Sequence, residues 1–259
     1  VERSPYNAIE QTQAFQTVKD AETLRNGMYA QLRARITGIQ MHSTDIQADL
    51  WNASLDFGNR QGFPHRWDGF LSTDYTIQDV WAQYYSGLVN VNNIIENIGL
   101  VETTSQAQVD QMNRYLGEAY LLRAWYYHQL VIRYGKPYNA STSGTDLGVP
   151  LVLTFDPTLR PARATVAAVY QQILEDLSQA KPLLSGYPGS PGATFLTGDA
   201  VLALESRVHL HMGNWAGVIA AAEPLIASGC YPLVTTEEGM KAMWHNDSGA
   251  EMIFQLFLI

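Results

Sequence analysis

Charge and cysteine are both scarce in this chain. Only 16% of its 259 residues are Asp, Glu, Lys or Arg, against ~25% in an average soluble domain. The polar surface therefore falls to Gln, Asn, Ser and Thr, residue types that suit uncharged polar partners. Cations are the rarer sign: 16 Lys and Arg stand against 25 Asp and Glu, a formal net charge of -9. A nucleic-acid backbone demands clustered Lys and Arg, so no nucleic-acid partner is expected. The single cysteine, Cys230, excludes an internal disulfide and any Cys-based zinc cluster. No window reaches the ~20 apolar residues of a membrane span, and no cationic amphipathic helix suggests a membrane surface. G-x-S-x-G, P-loop, H-E-x-x-H and dinucleotide signatures are missing too, so no catalytic residue, cofactor or metal is expected. The chain opens on Val1 with no signal peptide, which reads as a mature or trimmed product. What it does have is 46% hydrophobic residues, enough for a large core in one domain or two.

The strongest pattern runs from Ser105 to Tyr138. Ser105 is an N-cap with Gln108 at the capping-box position. Val109, Met112, Leu116, Ala119, Tyr120, Tyr127, Leu130, Val131 and Tyr134 recur with helical period. Gly135 and Pro137 stop the helix. Leu121, Leu122, Ala124, Trp125 and Tyr126 widen the apolar surface beyond one stripe, which predicts a central helix with neighbours on several sides. Before it, Val1–Gln16 reads as an irregular arm. Thr17 and Asp20 cap a helix over Val18–Arg35, and a stripe from Val80 to Ile98 predicts a helix over Ile77–Ile98. Between those two, residues 41–76 show no sustained period and read as an irregular, aromatic-rich insert. A stretch that long inside a compact protein is functional or disordered, and its aromatics argue against disorder.

After the central helix, residues 139–163 read as a loop with a short edge strand in Gly148–Leu153. Thr165 caps an amphipathic helix that ends near Pro182 and Leu184. Residues 197–229 predict a helix pair joined at Gly213-Asn214. Its length is close to the tetratricopeptide repeat of about 34 residues. Thr235 and Glu238 cap a last short helix. Glu251–Ile259 ends inside an apolar, strand-like run that needs a pairing partner, so the chain is expected to continue beyond it. The fold class predicted is mostly α: tetratricopeptide-like stacked helix pairs with long irregular loops and little β.

The ordered set LRAWYYHQLVIRYGKPY, GVPLVL, RPARATVAAVYQQILEDLSQAKPLL and AVLALESRVHLHMGNWAGVIAAAEPLIASGCYPL, closed by GAEMIFQL, resembles the SusD/RagB family of Bacteroidetes outer-membrane nutrient-binding lipoproteins. The resemblance covers nearly the whole chain as one SusD-like helical region, residues 1–259, matching the family's N-terminal half. It implies non-catalytic binding of an oligosaccharide or other nutrient at the cell surface. It also implies a SusC-like TonB-dependent transporter as partner, and a lipid anchor on an N-terminal cysteine that this chain does not contain.

The candidate ligand site lies in Asp49–Tyr75. Sugars present C–H faces that stack on flat rings and hydroxyls that need polar partners. Trp51, Asn52, Arg66, Trp67, Asp68 and Tyr75 supply both. The competing reading makes Trp51 and Trp67 core anchors of a long loop. Core packing is the reading for Trp81, Tyr84, Tyr85 and the run Trp125-Tyr126-Tyr127-His128. Arg123 and Arg133 are expected to bond loop carbonyls or an acid such as Glu118. His209 and His211 do not share a helix face, and His42, Asp45 and Asp49 match no calcium-loop spacing. Two rival functions remain. A glycoside hydrolase on a helical scaffold would draw its acid pair from Asp45, Asp49, Asp56, Asp68 and Asp74. A tetratricopeptide-type module would grip a protein or peptide.

Overall fold

The computed structural model describes residues 15–36, 38–69, 71–154, 156 and 158–256; the arm read over Val1–Gln16 lies almost wholly outside them. The elements are α1 (Val18–Ile36), α2 (Ile39–Gln47), α3 (Gly62–Arg66), α4 (Tyr75–Asn97), α5 (Gln106–Tyr134), β1 (Leu147–Pro150), β2 (Arg163–Thr165), α6 (Val166–Leu184), α7 (Gly198–Met212), α8 (Trp215–Ser228) and α9 (Glu237–His245). The fold is mostly α, in stacked helix pairs, with one small antiparallel sheet.

The helix starts follow from local chemistry. At α1, Thr17 N donates to Asp20 Oδ2 (2.8 Å) and Asp20 N donates to Thr17 Oγ1 (3.2 Å), a reciprocal capping box. Ser105 Oγ accepts from Gln108 N at the head of α5. The Gln108 side chain accepts from Thr104 N (2.7 Å), one residue earlier than a capping box requires. Thr165 Oγ1 accepts from Ala168 N at α6. At α9 the cap is Thr236, not Thr235: its hydroxyl accepts from Gly239 N. The stop after α5 needs no left-handed glycine. Gly135 is extended, and a Cβ there would stand 2.7 Å from Val131 O.

α5 is the axis of the molecule. Met112, Tyr115, Ala119, Leu122, Tyr126, Tyr127, Leu130 and Val131 are buried around its circumference. α1, α4, α6 and α7 all touch it. Tyr126, Tyr127 and His128 are fully enclosed, as is Tyr84 on α4, while Trp81, Tyr85 and Trp125 are half-buried at the core margin.

Two buried ion pairs brace this axis. Glu118 binds Arg25 through both oxygens (2.6 and 2.7 Å) and also accepts from Arg114 (3.1 Å). The Arg25 guanidinium lies 3.8 Å from the Phe195 ring centroid, a contact that suits a weakly hydrated cation. Arg123 does not meet Glu118. Its fork closes on Asp176 of α6 (3.0 and 2.7 Å), with Asn92 Oδ1 and Leu153 O as further acceptors. The pairing follows from packing: Glu118 faces α1, and Arg123 faces α6.

Residues 147–153 form a strap over α4 and α5. Leu147 pairs with Thr165 and Pro150 with Arg163, with a register shift between them. Tyr85 Oη donates to Pro150 O (2.7 Å) and Asn92 Nδ2 to Val152 O (2.8 Å). Tyr127 Oη donates to Val152 O and accepts from Val152 N (2.7 and 2.8 Å). Tyr127→Phe strands that amide and removes a donor from a carbonyl. The expected cost is about 1–3 kcal/mol, read as a lower urea midpoint at unchanged slope.

Two local expectations are corrected. The stretch read as an irregular insert contains α2, α3 and a single 3-10 turn at Leu55–Phe57. Glu251–Leu256 forms no strand. It lies against a turn, with Gly192 N donating to Met252 O and Gln255 N to Ala193 O; its apolar side chains Ile253, Phe254 and Leu256 pack on the core. Residues 257–259 of that run lie outside the described residues. The pair α7–α8 does form at left-handed Gly213, but α8 buries only Ala221 and leaves Trp215, Ile219 and Ile226 exposed.

Candidate functional site

α2 organises the candidate segment. Gln40, Ser43 and Ile46, at positions i, i+3 and i+6, form its buried face. Arg133 of α5 reaches across to it, donating to Gln40 O (3.2 Å) and Thr44 Oγ1 (2.7 Å). One guanidinium thus ties α2 to the central helix.

Both tryptophans attach to α2 and neither is buried. Trp51 is 47% exposed, with its ring 4.8 Å from that of His42, tilted at 49°. Trp67 is 68% exposed, and its Nε1 donates to Gln47 O (2.8 Å). That bond engages the indole through its edge. Phe63 is half-exposed beside them, with the Arg66 guanidinium 5.6 Å from its ring centroid. Asn52, Arg66 and Asp68 are exposed. Tyr75 is the first residue of α4, behind Asp74, whose carboxylate accepts from Thr76 N (2.8 Å). The structure thus brings Trp51 and Trp67 each against α2 from outside it and puts Tyr75 at the start of α4.

Backbone strain collects in the same place. Among the described residues, the non-glycine positions with positive φ are Asp49, Asn59, Gln61, Trp67 and Asp247, four of the five between 49 and 67. Asp and Asn tolerate this region; a tryptophan at φ 51° does so at a cost. Such strain persists only where the surroundings impose it, and it clusters at ligand clamps and active sites.

The electrostatics are mildly acidic. Residues 41–76 hold five Asp, two Arg and no Glu or Lys. Asp74 is spent on its helix cap and Asp49 sits in a left-handed turn. Among the described residues no three His, Cys, Asp or Glu gather closely enough to share a metal ion. An apolar groove of about 390 Å³ lies elsewhere, between Leu32, Leu122, Trp125, Leu204 and Phe254, and holds none of the candidate residues.

Residues 2–210 match the family model described as SusD-like, starch-binding associating with outer membrane. The chain belongs to the SusD-like family. A curated relative, SusD-like protein P38 of Formosa agariphila, is 26% identical over 255 residues, covering 95% of this chain and 45% of the relative. A crystal structure of a SusD superfamily protein from Bacteroides thetaiotaomicron superposes with a TM-score of 0.74 at 26% identity, over 94% of this chain and 53% of that one. A SusD-like protein from Bacteroides fragilis, 24% identical, shares the fold over 99% of this chain and 48% of its own, with a TM-score of 0.71. The chain spans about half the length of the SusD-like relatives it matches.

The SusD-like motif residues take structural places. Arg123 holds α6 and the strap, and Arg133 holds α2. Sequence reasoning missed α2, the role of Arg133 in seating it, and Phe63 as a further exposed ring beside Trp51, Trp67 and Tyr75. The only local trace of α2 was its thin buried face, carrying a single isoleucine, Ile46.

Proposed function

We propose that this chain binds an extracellular oligosaccharide without altering its bonds, as part of a surface nutrient-binding protein that hands its cargo to a SusC-like TonB-dependent transporter. The observation that carries the reading is the pair of exposed indoles fixed to α2, one edge-bonded through Nε1 and both surrounded by strained backbone. Ring faces held in this way stack on the C–H face of a sugar, while Asn52, Arg66, Asp68 and Tyr75 meet its hydroxyls. The family description, starch-binding and associating with outer membrane, supports the carbohydrate class and the cell-surface location. A lipid anchor would supply the attachment to the outer membrane.

A glycan array followed by calorimetry on the hits tests it. Trp51→Ala and Trp67→Ala are each expected to weaken binding about tenfold, consistent with the loss of roughly 1–1.5 kcal/mol of stacking, and the double variant to abolish it. Both residues are exposed, so circular dichroism should remain unchanged. Normal binding by the folded double variant would remove the site. Release of reducing ends would favour the glycoside hydrolase. Selective capture of a peptide over every glycan would favour the interaction module.

A further inference from the structure

His128 is enclosed at the contact of α5, α6 and α7. Its side chain is fully buried, and neither Nδ1 nor Nε2 has a hydrogen-bond partner among the described residues. Native proteins rarely leave a buried polar group so, and each case needs a reason. Beside it stands His211 of α7, with ring centroids 4.9 Å apart and planes at 79°. His211 is exposed, so it opens the pair to solvent. Tyr170 of α6 also lies near it, its ring centroid 6.5 Å from that of His128. His209, two residues before His211, is turned to Asn214 and takes no part.

The spacing suits a shared ion. A metal–nitrogen bond of about 2.0–2.1 Å plus a ring radius of about 1.1 Å puts each centroid roughly 3.2 Å from the metal, and a tetrahedral angle then separates the centroids by about 5.2 Å. We propose that His128 and His211 form a two-imidazole seat for a divalent transition-metal ion, zinc or copper(II), with water completing the coordination on the His211 side. Imidazole nitrogen is a preferred ligand for both ions. The absence of any shared face between His209 and His211 does not bear on this seat, because the partner of His211 comes from another helix.

Arg207, one turn before His211 on α7, opposes any cation placed in the seat. Among the described residues no third His, Cys, Asp or Glu joins the pair. Affinity in the micromolar range is expected, weaker than that of a closed four-ligand site.

Calorimetric titration of the 259-residue chain with zinc chloride and copper(II) chloride at pH 7.5 tests the seat. One equivalent is expected to bind, with affinity falling at least tenfold in His211→Ala and in His128→Phe and unchanged in His209→Ala. Arg207→Gln is expected to tighten it severalfold. His211 is exposed, so its variant discriminates even if His128→Phe fails to fold. Equal affinity in the wild type and His211→Ala would place the ion on scattered surface histidines and overturn the proposal. No binding at all would reduce the pair to an edge-to-face ring contact.

Discussion

Glu118→Gln is expected to lower the unfolding free energy by about 3–5 kcal/mol, the usual cost of removing one partner from a buried ion pair. The substitution keeps shape and volume, deletes the charge and turns one of the two acceptor oxygens into an NH2 donor that cannot accept from the Arg25 fork. Glu118 is wholly enclosed and bonds Arg25 through both oxygens. Without it, the Arg25 guanidinium remains buried among Phe195, Tyr115 and Tyr29 with no counter-ion. Domains of this kind hold only about 5–15 kcal/mol of stability, so the loss is a large share of the whole. Urea denaturation reads it as a lower midpoint at constant slope. Arg114→Ala is the contrast: its side chain is partly exposed, and the expected cost is about 1 kcal/mol or less. A loss below about 1 kcal/mol for Glu118→Gln would show that this pair does not brace α1 against α5.

The second large effect comes from adding a single methyl. Gly87 of α4 faces α5 so closely that a Cβ would lie 2.4 Å from Tyr126 Cζ and 2.6 Å from its hydroxyl. Tyr126 cannot step aside. It is fully buried, with ring contacts to Tyr84 and Trp125. Gly87→Ala must then push α4 off α5, at a cost of about 2–3 kcal/mol. Gly27 of α1 is the control, because nothing lies within 4 Å of a Cβ there. Gly27→Ala is expected to stabilise by roughly 0.5–1 kcal/mol through helix propensity. Thermal unfolding of the two variants should therefore shift in opposite directions. A neutral Gly87→Ala would mean the two helices have room between them.

The helical frame was legible because its signals are local. Ser105, Thr17 and Thr165 announce their helices by side-chain chemistry, and the stripe of α4 or α6 repeats with a fixed period. α2 was illegible because its position depends on Arg133, about ninety residues away, and its own pattern holds too few apolar residues to register. The pairing of Arg123 with Asp176 is likewise a fact of helix packing that no spacing in one helix announces. For the tryptophans of Asp49–Tyr75, composition allowed either a core or a surface role. The exposure of both indoles follows from where α2 sits, so it became visible only with the tertiary structure.

The tie from Arg133 to α2 also has a kinetic side. A receptor whose contact surface is set in advance needs no folding step when a guest arrives. Encounter then runs near the rate that diffusion and orientation permit, and residence time is governed by escape alone. Under the proposed function, in which the guest is handed onward, quick capture with ready release is worth more than tight retention.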